Sequence, residues 1–257
     1  MTENILRGLE LPEGYSVETV YYGSGTLCIS SQAGCRMACP FCASGSAGLV
    51  RNLSAEEMHA QVALNSDNDV KRITISGIGE PLDNLKAVKQ FIEECGLPVS
   101  VTTSVPNTEK FKTLITGKHN GVMLSIHSGM EETHKQLVPN AADLDAIFSA
   151  LSDIWPELSV NKRKKIGFNY MLLKGVNDRV DEVRAMAERV ENFKEATVHL
   201  LAYNDVEGSC FKSSEVCRFV GIYEWMRSRG INVRRANTWR KSENGGCGTL
   251  FLKTVQK

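Results

Sequence analysis

The chain has 257 residues, 42% of them hydrophobic, and its 30 basic side chains balance 30 acidic ones. That length supports one sizeable core, and neutrality argues against a binder driven by global positive charge while leaving a local basic patch open. Eight unevenly spaced cysteines do not read as a secreted disulfide framework, no run of 18 apolar residues occurs, and residues 1–7 lack a signal peptide's apolar core, so a cytoplasmic chain without a membrane span is expected.

In chain order, β-rich runs fall at 26–30, 72–76, 99–103, 122–127, 166–172 and 197–202. Helical patterns lie between them at 54–64, 84–94, 108–116, 143–153 and 180–193, and a further one at 213–229 follows the sixth strand. Ser54 with Glu57 forms a capping box at the first helix, and Gly230 is the stop for the last. Six strands each followed by a helix predict parallel βα units, with a further strand pair at 231–236 and 249–253. One domain is expected over 1–257, with extensions at 1–24 and 231–257. Ligands of parallel α/β folds gather at the carboxyl ends of strands. A cysteine-rich loop follows the first strand, Gly77-Ile78-Gly79-Glu80-Pro81 the second, and Asn204 the sixth; Ser104 and His127 end the third and fourth.

Cys35, Cys39 and Cys42 stand in a CxxxCxxC loop. Thiolates this close ligate one soft metal centre, an iron–sulfur cluster or zinc. Zinc needs a fourth Cys or His nearby, and none follows before His59. A [4Fe–4S] cluster held by three cysteines leaves one iron open. Two glycines beside Glu80 let backbone approach a ligand, although an ordinary βα turn has the same composition. Cys28 reads as buried structure, Glu18 as a solvent-facing strand residue, Ser104 and Asn204 as strand-end caps, and His127 as a core histidine. Cys95, Cys210 and Cys217 read as structural, and His59, His119, His134 and His199 show no ligand spacing. The run Lys162-Arg163-Lys164-Lys165 reads as a solvated face or a contact to RNA phosphates. Cys247 lies between glycines, with Arg234, Arg235, Arg240 and Lys241 near enough in sequence to favour its thiolate.

The ordered set Ser30–Cys42, Arg51-Asn52-Leu53, Gly77–Pro81, Leu124–His127, Val138-Pro139-Asn140, Gly175–Asp178 and Gly246-Cys247-Gly248 resembles the RlmN/Cfr family of radical S-adenosylmethionine (SAM) methylases of RNA adenine. The resemblance implies a partial (β/α)6 barrel of α/β class with short strand extensions at both ends, a [4Fe–4S] cluster on Cys35, Cys39 and Cys42, and two SAM molecules per turnover. It implies SAM contacts at Gly79, Glu80, Ser104, Ser125, Ile126, His127 and Asn204. Cys247 would be the methyl carrier, Glu18 the general base, and Cys28 the thiol that resolves the adduct and leaves a disulfide with Cys247. It further implies a monomer served by a flavodoxin or ferredoxin, acting at adenine C2 or C8 of ribosomal or transfer RNA. The match begins near Val17, so a short form without the family's N-terminal RNA-binding domain is expected. Two other readings stay open: the same chemistry on a small heteroaromatic molecule or peptide, and an iron–sulfur protein without turnover.

Overall fold

The structure is a computed structural model in which residues 4–46, 48–236, 241, 246 and 248–254 are described. Ile5–Glu10 (β1) and Tyr15–Tyr22 (β2) form an antiparallel hairpin, and Thr26–Ile29 (β3) returns antiparallel to β2. Gln32–Gly34 (β4) and Leu49–Asn52 (β5) pair as a separate ribbon around the short helix Ala43–Ser46 (α1). Helix Ala55–Ala63 (α2) leads into the alternating part: Arg72–Ile75 (β6), Leu85–Glu94 (α3), Val99–Thr103 (β7), Thr108–Thr116 (α4) and Gly121–Ser125 (β8). It continues with Glu131–Leu137 (α5), Leu144–Ile154 (α6), Val160–Arg163 (α7), Ile166–Leu172 (β9), Val180–Val190 (α8), Thr197–Ala202 (β10) and Val216–Ser228 (α9). Val233–Arg235 (β11) and Lys253–Thr254 (β12) close the described chain.

The main sheet runs β1-β2-β3-β6-β7-β8-β9-β10-β11, with β12 on β2. Every pairing from β3 to β11 is parallel. The six expected strands are therefore spatial neighbours in sequence order, and β11 is a seventh parallel strand. The sheet does not close into a barrel. Three expectations change. The two late strands do not pair with each other: β11 joins β10, and β12 runs antiparallel to β2. The expected N-terminal strand extension is present as β2, but its pairing with β1, the ribbon β4–β5 and helices α1, α5 and α7 were not foreseen. The capping box at Ser54 and Glu57 is present, and Gly230 adopts φ 79° after α9.

Side-chain alternation explains where the cavity forms. Leu27, Ile29, Ile73, Ile75, Val99, Val101, Val122, Leu124, Ile166, Phe168, Val198 and Leu200 face the helices in one core. Helices α3 and α6 bury stripes at helical spacing, such as Val88, Phe91 and Ile92. Phe148, Trp155, Phe168 and Phe193 pack as one aromatic group. Each buried ring contributes roughly 2–3 kcal/mol by area. The other face carries Cys28, Thr74, Ser76, Thr102, Ser125 and Asn169. The longer helices α3, α4, α6 and α8 pack on the apolar face, which leaves the polar face to line a cavity with the cysteine loop.

Candidate active site

The cysteine loop leaves β4 through Gly34. That residue has φ 80°, and a Cβ there would lie 2.0 Å from the carbonyl oxygen of Gly48, so only glycine fits. Cys35 N–H donates to that same carbonyl at 2.8 Å. The loop is then tied on three sides. Arg36 pairs with Asp83 at 2.6 Å, Asn140 donates to the Arg36 carbonyl at 2.7 Å, and Ala43 N–H donates to the Gly248 carbonyl at 2.9 Å. The Asn140 contact gives the Val138-Pro139-Asn140 motif a physical role.

Cys35, Cys39 and Cys42 line one cavity of about 140 Å³ with Ser76, Gly77, Gly79, Glu80, Thr102, Thr103, Ser104, Ser125, His127, Asn169 and Gly248. Cys39 and Cys42 also line an outer cleft of about 550 Å³ between the cysteine loop, Asp205–Ser209 and Phe251. Burial pushes the Cys35 thiol up to about 12 and the Cys39 thiol well above its ordinary value. Thiolates in such a place need a cationic centre beside them. Among the described residues no three Cys, His, Asp or Glu groups form a single-ion site; three thiols lining one cavity suit ligands to separate irons of a cluster. Thr102 Oγ1, which also lines this cavity, is buried with no hydrogen-bond partner, which leaves a polar atom for a ligand. The donor set and this orphan group fit a [4Fe–4S] cluster with a polar ligand beside it.

Glu80 is almost fully buried. Its carboxylate accepts from Thr103 Oγ1, from Ser104 N–H at 2.8 Å and from Leu82 N–H at 3.0 Å. Burial still raises its pKa to about 7, against the pull of those donors. Gly79, at φ 109°, lets the turn pack on Gln32, where a Cβ would clash at 2.6 Å. Glu80 N–H donates to Gln32 Oε1 at 2.7 Å.

His127 has φ 56° and accepts from Met171 N–H through Nδ1 at 3.1 Å. Burial, with a smaller push from His134, lowers its pKa to about 3, so the ring is neutral. Asn177 donates to the His127 carbonyl at 2.6 Å and to the Met171 carbonyl at 2.7 Å. Thus Gly175–Asp178 locks the end of β8 to the end of β9.

Ile126 is fully buried in the helix-side core, and its N–H reaches the Leu124 carbonyl at 3.2 Å. Asn204, 8% exposed, follows β10. Neither is among the residues lining the inner cavity.

Glu18 corrects the expectation of a solvent-facing residue: it is 2% exposed. The C-terminal segment covers it, with Lys253 Nζ 2.5 Å from Oε1 and Phe251 N–H donating to Oε2 at 3.2 Å. Cys28 is buried, as its strand position implied, and its Sγ lies 3.3 Å from Ser76 Oγ, which lines the cavity. Leu250 packs in the same small core as Cys28, and its carbonyl accepts from Ser44 at 2.6 Å. Cys247 lies outside the described residues, as do residues 237–240, 242–245 and 255–257 of the C-terminal extension; its neighbour Gly248 lines the cavity. Among the described residues no two cysteines form a disulfide, so the expected bond has no support. Cys210 and Cys217 are exposed rather than packed. Sequence reasoning missed Ser76, Thr102 and Asn169. Their signal was a polar residue near the carboxyl half of a strand whose alternate residues are apolar.

The radical SAM superfamily pattern matches residues 29–190. A dual-specificity RNA methyltransferase RlmN of a Sulfurovum species is 30% identical over 94% of this chain and 75% of that protein. The protein of the same name from Helicobacter hepaticus is 34% identical over 92% of this chain and 71% of its own. Among solved structures, a radical SAM methyltransferase from Sphaerobacter thermophilus superposes with a TM-score of 0.84 at 26% identity, covering 96% of this chain and 77% of that one.

Proposed function

The chain belongs to the radical SAM superfamily and to its RlmN-type methyltransferases, and from that premise we propose that it methylates adenine C2 or C8 in RNA through a methyl-carrying cysteine. When bound, the [4Fe–4S] cluster and two SAM molecules per turnover supply one-electron chemistry and a methyl group. Cys35, Cys39 and Cys42 hold the cluster. Gly79, Glu80, Ser104, Ser125 and His127 bind SAM along the strand ends, Ile126 contributes backbone and Asn204 an outer contact.

Cys247 accepts the methyl group as a thiolate and carries it to the base. Covalent carriage divides one inaccessible step into feasible ones. Once the adduct had lost one electron, for which the cluster would be the acceptor, Glu18 would take the proton from the substituted ring carbon. The Cys28 thiolate would then attack the Cys247 sulfur, breaking its bond to the methylene, whose electron pair takes up a proton to give the methyl product. This leaves a Cys28–Cys247 disulfide for an external thiol to reduce. Lys253 pairs with Glu18 in its buried position. The outer cleft admits the base, on a scale suited to one nucleotide.

The observation that carries this reading is the convergence on one cavity of three cysteines, a row of strand-end polar groups and Gly248, with Ser76 joining the wall to Cys28. The test is anaerobic reconstitution with iron, sulfide, dithionite and SAM, with deproteinised ribosomal and transfer RNA as acceptors. 5′-Deoxyadenosine and RNA-bound methyl groups are expected. Cys247→Ala should keep SAM cleavage and abolish methyl transfer. Transfer that survives Cys247→Ala would sink the carrier; SAM cleavage without RNA methylation would move the substrate to a small molecule or peptide.

A further inference from the structure

We propose that the β11 edge of the sheet, beyond which no strand pairs among the described residues, is with helix α9 a docking surface for the phosphate backbone of RNA; this rests on the reading of the substrate as RNA. The charge that neutrality hides is concentrated here. Between Val216 and Ala236 the chain carries five basic residues, of which Arg218 is held by the Asp178 carbonyl, against one acid, Glu224, although the whole chain is neutral. Arg227, Arg229, Arg234 and Arg235 are all exposed. Arg227, Arg234 and Arg235 form no ion pair among the described residues; Arg229 reaches Glu191 at 3.6 Å. The guanidinium groups of Arg227 and Arg235 lie 5.6 and 4.6 Å from the centre of the Tyr223 ring, and that of Arg229 lies 5.3 Å from Trp225. Aromatic stacking fixes their planes at little cost in charge, which suits phosphate and unstacked bases.

The surface is continuous with the catalytic cavity. Ser125 pairs in register with Asn169, Asn169 with His199, and His199 with Arg234. Ser125 and Asn169 line the cavity. One polar row thus crosses the inner face to Arg234, about 10 Å beyond Asn169 at ordinary strand spacing. At the carboxyl end of β11, Ala236 packs against the small core beneath the cysteine loop.

The other basic run has no such access. Lys162–Lys165 precedes β9, at the opposite end of the strands from the cavity. Lys162 donates to the Gly117 carbonyl at 3.1 Å, and Arg163 to the Trp155 carbonyl at 3.0 Å, so both are used internally. The β11 edge therefore replaces it as the RNA contact.

The experiment measures binding of labelled, deproteinised ribosomal RNA to the full chain against salt concentration. Arg234→Gln/Arg235→Gln and Arg227→Gln/Arg229→Gln should each lower the slope of log K against log salt by about 1.4–1.8, the value for two phosphate contacts. Lys164→Gln/Lys165→Gln should leave the slope unchanged. The Arg227/Arg229 variant should keep its circular dichroism and its RNA-independent cleavage of SAM. Unchanged slopes in a chain that still methylates RNA would overturn the surface and leave the function standing. A wild-type chain that neither binds nor methylates RNA would overturn the RNA reading and this proposal with it. Unchanged RNA slopes with slowed cluster reduction by a flavodoxin would assign the edge to an acidic electron donor instead, and overturn it too.

Discussion

At the scale of single residues, two buried charges or potential charges are informative. His127 must stay neutral to accept from Met171 N–H, and burial holds its pKa near 3 against an ordinary 6.5. Below about pH 6.5 the unfolded chain takes up a proton that the folded chain refuses, so stability falls as pH drops from there towards 3. At pH 5 the loss from this group is about 2 kcal/mol. His127→Asn, which tolerates the left-handed backbone, should remove that acid-dependent component; urea unfolding at pH 7.5 and pH 5 measures it. An equal pH dependence in both proteins would contradict the assignment. Glu18 is the second case. Lys253→Met leaves a 2% exposed carboxylate with Phe251 N–H as its remaining contact from the C-terminal segment. Because the lysine is half exposed, the expected loss is about 1–2 kcal/mol, seen as a lower denaturant midpoint with unchanged slope.

At the scale of elements, the β4–β5 ribbon sets the cysteine loop. Gly34→Ala forces a side chain onto the Gly48 carbonyl at a backbone angle that L-residues avoid. A loss of at least ~2 kcal/mol is expected, together with lower iron content after reconstitution. Full iron loading in this variant would show that the ribbon does not shape the loop. The elements themselves were legible where local rules sufficed. The strands 99–103, 166–172 and 197–202 and helix 108–116 have the predicted bounds. The pairing of β1 was not legible, because its residues alternate between half-buried and exposed, and the burial of β2 is completed by β12 from the far end of the chain.

At the scale of the whole molecule, three cysteines lining one cavity couple cofactor loading to stability. Anaerobic loading with iron and sulfide should raise the thermal midpoint, since the folded chain binds the cluster and the unfolded chain does not hold the site together. Equal midpoints for loaded and unloaded protein would separate cluster binding from the fold. The charge distribution belongs to this scale as well: a net charge of zero conceals one basic edge.

The sequence by itself determined the cofactor chemistry and the order of the parallel strands. Both depend on short spacings, the cysteine loop in one case and strand–helix periodicity in the other. It also carried the strand-end positions of Glu80, Ser104 and His127, because parallel βα units bring their carboxyl ends to one rim. Only the tertiary structure decided the state of Glu18, which β12 and Lys253 cover from more than 230 residues away. Only the sheet register aligned Ser125, Asn169, His199 and Arg234 into one row. Long-range pairing sets which side of a strand is solvated, and no local pattern records its partner.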